Sequence, residues 1–287
     1  MKKGFRLRIQ QTSLCLISAS IIFGVLLPYA NAGTSKVENK KKPTVNNHLS
    51  SLKPITVKKI SGQPFLDGIA VDECWRKTPS SKIRIVDGKK ILPISIKACT
   101  NGKNIYFLIQ YDTPGEIRKH QSWHWNPVLQ AYIPGKEKEE SLTIILSQQR
   151  ENIKTADLWV WRAARTDPVN KADDLFFQNI DKANQPKKSI TMDSGKNCWF
   201  SKYFGDFAGN ELPRFYNRDP QGSLADINAK GAWERSFLTI EFARLLNTGN
   251  EDDILLTPGK KYYIQIHRGT PDVKNIEKKS YIPLLIK

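Results

Sequence analysis

The sequence predicts an all-β chain, an antiparallel two-sheet β-sandwich with long irregular loops. Three observations predict it. Short apolar segments alternate buried-type and polar residues with a period of two. Polar connections rich in Gly, Pro and Asn separate them. No strand–helix alternation of the kind that builds a parallel sheet is present. Composition agrees: of 287 residues 39% are hydrophobic and 25% charged, which is globular and too apolar for a disordered chain.

Residues 1–32 read as a secretory signal peptide. Lys2, Lys3, Arg6 and Arg8 precede an apolar run from Leu14 to Tyr29, and Ala30-Asn31-Ala32 offers a small-residue cleavage site. The run is shorter than the stretch of about 20 residues that a membrane-spanning helix needs. The chain is therefore expected to be periplasmic or secreted, without a transmembrane anchor. Residues 33–54 are rich in Lys, Asn, Ser and Thr and read as a flexible basic leader. Residues 55–287 form the folded domain.

Within that domain Ile94, Ile96 and Ala98 alternate with Ser95, Lys97 and Cys99. Asn101-Gly102 and a second apolar run, Ile105 to Tyr111, then complete a hairpin signal. Further strands are expected at 142–146, 158–161, 237–242, 262–266 and 282–286. A turn of helix is allowed over 241–246. The stretches 181–196 and 197–231 are the least regular and read as long loops.

The formal charge is +17. Its Lys residues are spread along the chain, which describes a solvated surface rather than a binding stripe. Export makes nucleic acid a poor partner. Cys74, Cys99 and Cys198 follow the signal segment, and in an oxidising compartment Cys74 with Cys99 is the favoured pair. No C-x-x-C-H, C-x-x-C, H-E-x-x-H or P-loop motif occurs, so covalent haem attachment and the usual zinc and nucleotide sites are excluded. No nucleophile elbow or Ser/His/Asp order suggests a hydrolase. The chain is expected to be a non-catalytic electron-transfer or binding subunit.

Two indole pairs stand out, Trp123/Trp125 and Trp159/Trp161. On a strand, alternate residues share a face, so each pair is either a stacking platform or part of the core. Asp157, Asp167, Asp173 and Asp174 cluster around the second pair. They suit Ca²⁺, a cation with oxygen ligands, or simply ion pairs with Arg162 and Arg165. His267 should alternate with Tyr263 and Gln265 on the face opposite Ile264 and Ile266. Met192 is the one methionine after the signal segment. It stands in a polar stretch without an evident core role, and a thioether suits haem iron.

Several segments together resemble a known family. They are Asp67-Gly68 with Trp75, the hairpin from Asn101 to Asp112, and Trp123-His124-Trp125. The strongest is Trp159-Val160-Trp161-Arg162-Ala163-Ala164-Arg165-Thr166-Asp167-Pro168, joined by Arg244-Leu245-Leu246-Asn247-Thr248-Gly249. They resemble the haem-binding domain of ethylbenzene dehydrogenase γ-type subunits. The resemblance implies a β-sandwich with a non-covalent b-type haem (haem b) that relays electrons between a catalytic subunit and a redox partner. It further implies Met and Lys axial ligands. Met192 is then one ligand, and Lys279, in a Lys-Ser pair before the closing strand, is a second. His267 is the alternative to Lys279, as the better ligand at neutral pH. Trp159 and Trp161 would line the cofactor. The expected function is an exported electron-transfer protein, part of a periplasmic oxidoreductase. The alternative is a haem-free ligand-binding sandwich similar to a carbohydrate-binding module, with a Trp pair as its platform.

Overall fold

In a computed structural model, residues 53–88, 90–182, 185–278 and 280–287 are described. The signal segment, the leader up to residue 52 and Lys279 lie outside them. All described residues belong to one unit, Val45–Lys287. The strands in chain order are β1 (Ile55–Lys59), β2 (Ser81–Asp87), β3 (Lys90–Thr100), β4 (Asn104–Asp112), β5 (Trp123–Asn126), β6 (Ala131–Pro134) and β7 (Ser141–Ser147). Then come β8 (Thr155–Arg162), β9 (Asp173–Lys182), β10 (Gln185–Met192), β11 (Gly195–Lys196), β12 (Trp199–Ser201), β13 (Glu211–Leu212), β14 (Phe215–Asn217) and β15 (Gln221–Gly222). The last are β16 (Asn228–Glu234), β17 (Phe237–Leu245), β18 (Lys261–Arg268) and β19 (Ile282–Ile286). Two short helices, α1 (Glu73–Lys77) and α2 (Val273–Ile276), complete the list.

Twelve of the strands form the two layers of a sandwich, and β11-β15, β12-β14 and β13-β5-β6 make small separate sheets. The first sheet runs β10-β9-β8-β7-β18-β19-β1, and the second holds β2, β3, β4, β17 and β16. β1 belongs to both: residues 55–57 pair with β19 and residues 58–59 with β3. Those two pairings are parallel, and the sheets are otherwise antiparallel. The apolar inner faces make the main core, with Ile144, Trp159, Trp161 and Ile266 from one sheet against Ile96, Phe107, Ile240 and Phe242 from the other. Phe107 meets Trp159 edge-on, with ring centroids 5.7 Å apart, and Trp161 lies as close to Trp233. Gly231 opens the room that Trp161 needs: a Cβ there would stand 2.3 Å from the indole.

Both sheets are also covered on their outer faces. Over the first, Ile276 and Tyr281 pack on Ile145, Leu158, Val160, Leu175 and Phe177. Over the second, Trp75 packs on Tyr106 and Leu108. This second cover hangs on Glu241, a buried carboxylate of β17. It accepts hydrogen bonds from the Gly68 N–H at 2.7 Å, the Asp67 N–H at 3.0 Å and the Trp75 Nε1–H at 2.6 Å. Gly68 sits at φ +79°, and a Cβ there would come within 2.6 Å of the Ala232 nitrogen, so only glycine fits. The Asp67-Gly68…Trp75 pattern is thus a clasp.

Burial pushes the Glu241 carboxyl up to about 7, from an ordinary 4.5, against the pull of its three donors. The folded chain then holds this proton more tightly than the unfolded chain. Glu241's contribution to stability is full below about pH 4.5 and is lost as the pH rises through about 7. Between pH 5 and pH 8 the wild type should lose about 2–3 kcal/mol relative to Glu241→Gln. Urea denaturation of both proteins at the two pH values measures it, and an unchanged difference would contradict it.

The hairpin read at 94–111 is β3–β4, and the strands expected at 142–146, 158–161, 237–242, 262–266 and 282–286 are all present. Three expectations change. The stretch 197–231, read as a long loop, carries the short strands β12 to β15 and the start of β16. Residues 185–192 are not loop but strand β10, paired with β9 from Gln185↔Lys182 to Met192↔Leu175. Its Pro186, Lys187 and Lys188 suit an edge strand, which tolerates Pro and charge. Residues 241–245 continue β17 rather than starting a helix, because Arg244 pairs with Ile105 in the sheet.

Candidate functional site

The Trp-x-Trp…Arg-Thr-Asp-Pro segment builds an ionic lattice at the end of β8. Asp167 is fully buried. Its Oδ1 accepts from Trp161 Nε1 at 2.9 Å and from the Gly231 N–H at 2.6 Å. Its Oδ2 pairs with Arg118 Nη1 at 2.5 Å and lies 3.5 Å from Lys230 Nζ. Arg162 pairs with Asp173 at 2.6 Å, and Trp199 Nε1 donates to the other oxygen of Asp173. Arg165 pairs with Glu139 at 2.5 Å and stacks over Trp199. Every charge here has a partner, so the residues that carry the family resemblance hold the loop after β8 in place.

Trp159 and Trp161 are wholly buried on the inner face, as alternation on β8 requires. Trp159 Nε1 donates to Asp157 Oδ1 at 2.7 Å, and the Arg244 guanidinium lies 4.9 Å from its ring. The sequence expectation that this pair lines a cofactor or forms a platform is corrected: both indoles are core, with no face left for a ligand. Trp123 is nearly buried, and its Nε1 donates to the Lys202 carbonyl. Trp125 is covered edge-on by Tyr132 and Phe207. The aromatic surface of that region is instead Tyr203, Phe207 and Phe200.

Met192 ends β10, the edge strand of the first sheet, and is 41% exposed. It shares the outer face with Ile190, two residues earlier, and Ile190 packs against the Ile276–Tyr281 cover. The segment after α2 runs beside the same strand, since Lys188 pairs with Glu277. Lys279 lies outside the described residues. Its neighbours Ser280 and Tyr281 carry buried hydroxyls without hydrogen-bond partners. His267 is on the same outer face as Tyr263 and Gln265, as expected, and burial lowers its pKa. The register runs Met192–Leu175–Leu158–Ile145–Gln265 across the sheet. That is four strand spacings, or about 19 Å. Met192 and His267 therefore do not fit opposite sides of one iron.

A cleft of about 380 Å³ lies between Arg118, His120, Ser122, Glu211, Arg214 and Phe215. Among the described residues, none of the ligand residues expected from the sequence lines it. His124, Glu137 and Glu211 form a partly buried trio beside it. Cys74, Cys99 and Cys198 are free thiols. The favoured Cys74–Cys99 bond is not made, although both pack in the cluster around Trp75.

Sequence reasoning missed a second acidic centre. Asp167 and Asp173 are consumed in ion pairs, whereas Asp157 and Asp174, on the inner face of β8 and β9, meet Asp253 and Asp193. One ligand atom each of Asp157, Asp174 and Asp253 lie within 4.8 Å of one another. Asp193 N–H donates to the Asp174 carbonyl at 3.2 Å. Arg244 is the guanidinium among them, paired with Asp157 and, at 2.7 Å, with Asp253. Nothing local in Thr-Met-Asp-Ser or Glu-Asp-Asp-Ile announces this meeting of separate segments.

Residues 129–267 match the model of the family described as ethylbenzene dehydrogenase. The match takes in the Trp159–Pro168 and Arg244–Gly249 segments, and the resemblance carried by those residues holds over that stretch. No curated protein matches the chain. Among solved structures, the fold is similar to a carbohydrate binding module of family 9 from Caldicellulosiruptor kristjanssonii in complex with glucose, at 14% identity and a TM-score of 0.41, covering 82% of this chain and 96% of that one. The structure of a family 9 module from the same organism with cellotriose is similar at 13% identity and a TM-score of 0.40, over 82% of this chain and 94% of that one. None of the described helices is long and apolar enough to cross a membrane.

Proposed function

We propose that this chain is an exported b-type haem protein that passes electrons within a larger periplasmic oxidoreductase and performs no bond chemistry itself. Met192 and Lys279 would hold the haem iron, with the haem on the outer face of the first sheet at its β10 edge. The observation that carries the reading is the exposed thioether of Met192 on an apolar face, inside the segment that matches the ethylbenzene dehydrogenase family. Buried, unpartnered hydroxyls of Ser280 and Tyr281 beside Lys279 support it. Bound haem would supply a one-electron couple, and thioether ligation would raise its potential. Lys279 must lose its proton to bind iron, which a desolvated site favours.

Met192→Ala and Lys279→Ala should each change the absorption spectrum of the reduced haem protein, while Lys278→Ala should not. Wild-type spectra and haem content in both variants would overturn the ligand assignment.

A haem-free, ligand-stacking sandwich is the second reading. What favours it is the aromatic group of Trp125, Tyr132 and Phe207, with Phe207 58% exposed. Glycan binding lost in Phe207→Ala, by a protein that takes up no haem, would select it.

A further inference from the structure

We propose that Asp157, Asp174, Asp193 and Asp253 form a site for one calcium-type divalent cation between β8, β9 and the loop after β17. The inference is independent of the haem reading, because these carboxylates face away from the outer-face edge. Asp157 and Asp174 are on the inner face: Asp174 pairs with Trp159 across the strands, and Asp157 alternates with that indole.

Asp174 is 0% exposed, and neither of its carboxylate oxygens has a hydrogen-bond partner. Both oxygens of Asp193, 7% exposed, and Oδ2 of Asp253 are likewise unpartnered. A buried carboxylate without a donor or cation is costly. Here several converge, and Arg244 already spends its guanidinium on Asp157, Asp253 and the Ile254 carbonyl. Two oxygens bound to one Ca²⁺ stand at most about 5 Å apart, and the Asp157, Asp174 and Asp253 oxygens lie within 4.8 Å. Oxygen ligands alone, with no His or Cys in the set, select a hard cation over zinc or copper.

The ligands come from β8, from β9, from the residue after β10 and from the loop after β17. A bound cation would fasten that loop and the end of β10 to the first sheet.

The test uses the full chain stripped with EDTA and dialysed free of it, titrated with CaCl₂ by calorimetry and followed by thermal melting. Saturable binding of one Ca²⁺ per chain with a raised Tm is expected. Asp174→Asn should weaken Ca²⁺ binding at least about tenfold, and the exposed Asp219→Asn should leave it unchanged. No heat and no Tm shift at millimolar Ca²⁺ with the folded wild type would overturn the proposal, even if Asp174→Asn does not fold. Wild-type affinity in Asp174→Asn would overturn it as well.

Discussion

Asp167→Ala should destabilise the folded chain by about 3–5 kcal/mol, as removal of one partner from a buried charged network does. The loss is not chiefly that of the ion pair. Arg118 is 37% exposed along its side chain and can turn to water. The indole N–H of Trp161 and the backbone N–H of Gly231 cannot, and each would be left buried without an acceptor, at about 1–3 kcal/mol apiece. Asp167→Asn keeps an oxygen for those two donors and should cost clearly less than Ala. Urea denaturation of the three proteins decides it. Equal losses in Ala and Asn would mean that the charge, rather than the orphaned donors, dominates.

Trp159→Ala should cost about 3–5 kcal/mol, the range for emptying a large aromatic site in a core. Phe107 would lose its edge-on partner, Arg244 the ring it lies over, and Asp157 a donor. Tyr203→Ala and Phe207→Ala are the contrast. These side chains are 72% and 58% exposed, and their removal should cost less than about 1 kcal/mol. A small loss in Trp159→Ala with intact folding would revive the view of that indole as a surface platform.

Much of the sandwich was legible because a strand's signal is local. Ile94, Ile96 and Ala98 carry the period-two pattern within five residues, and Asn101-Gly102 marks the turn beside it. The β9–β10 hairpin escaped because an edge strand is written with Lys and Pro, the same letters as a loop. Met192 was legible as unusual, but its setting was not: it ends that unrecognised strand on an apolar face. Pairing it with His267 failed for another reason. Their separation is set by the order β10-β9-β8-β7-β18, and no sequence pattern states how many strands intervene. The carboxylates divide in the same way. Asp167 and Asp173 find Arg118 and Arg162, while Asp193 and Asp253 arrive from distant segments to join Asp157 and Asp174. The indoles of β8 show that composition cannot choose between core and platform. Alternation placed Trp159 and Trp161 on one face, and only the second sheet makes that face the interior.

The proposed function turns on a haem held through Met192. Its most direct test is the absorption spectrum of the full chain titrated with haem. The account predicts an intense Soret band that saturates at one haem per chain, shifts on dithionite reduction and changes in Met192→Ala. A folded protein that stays colourless through the titration would contradict it.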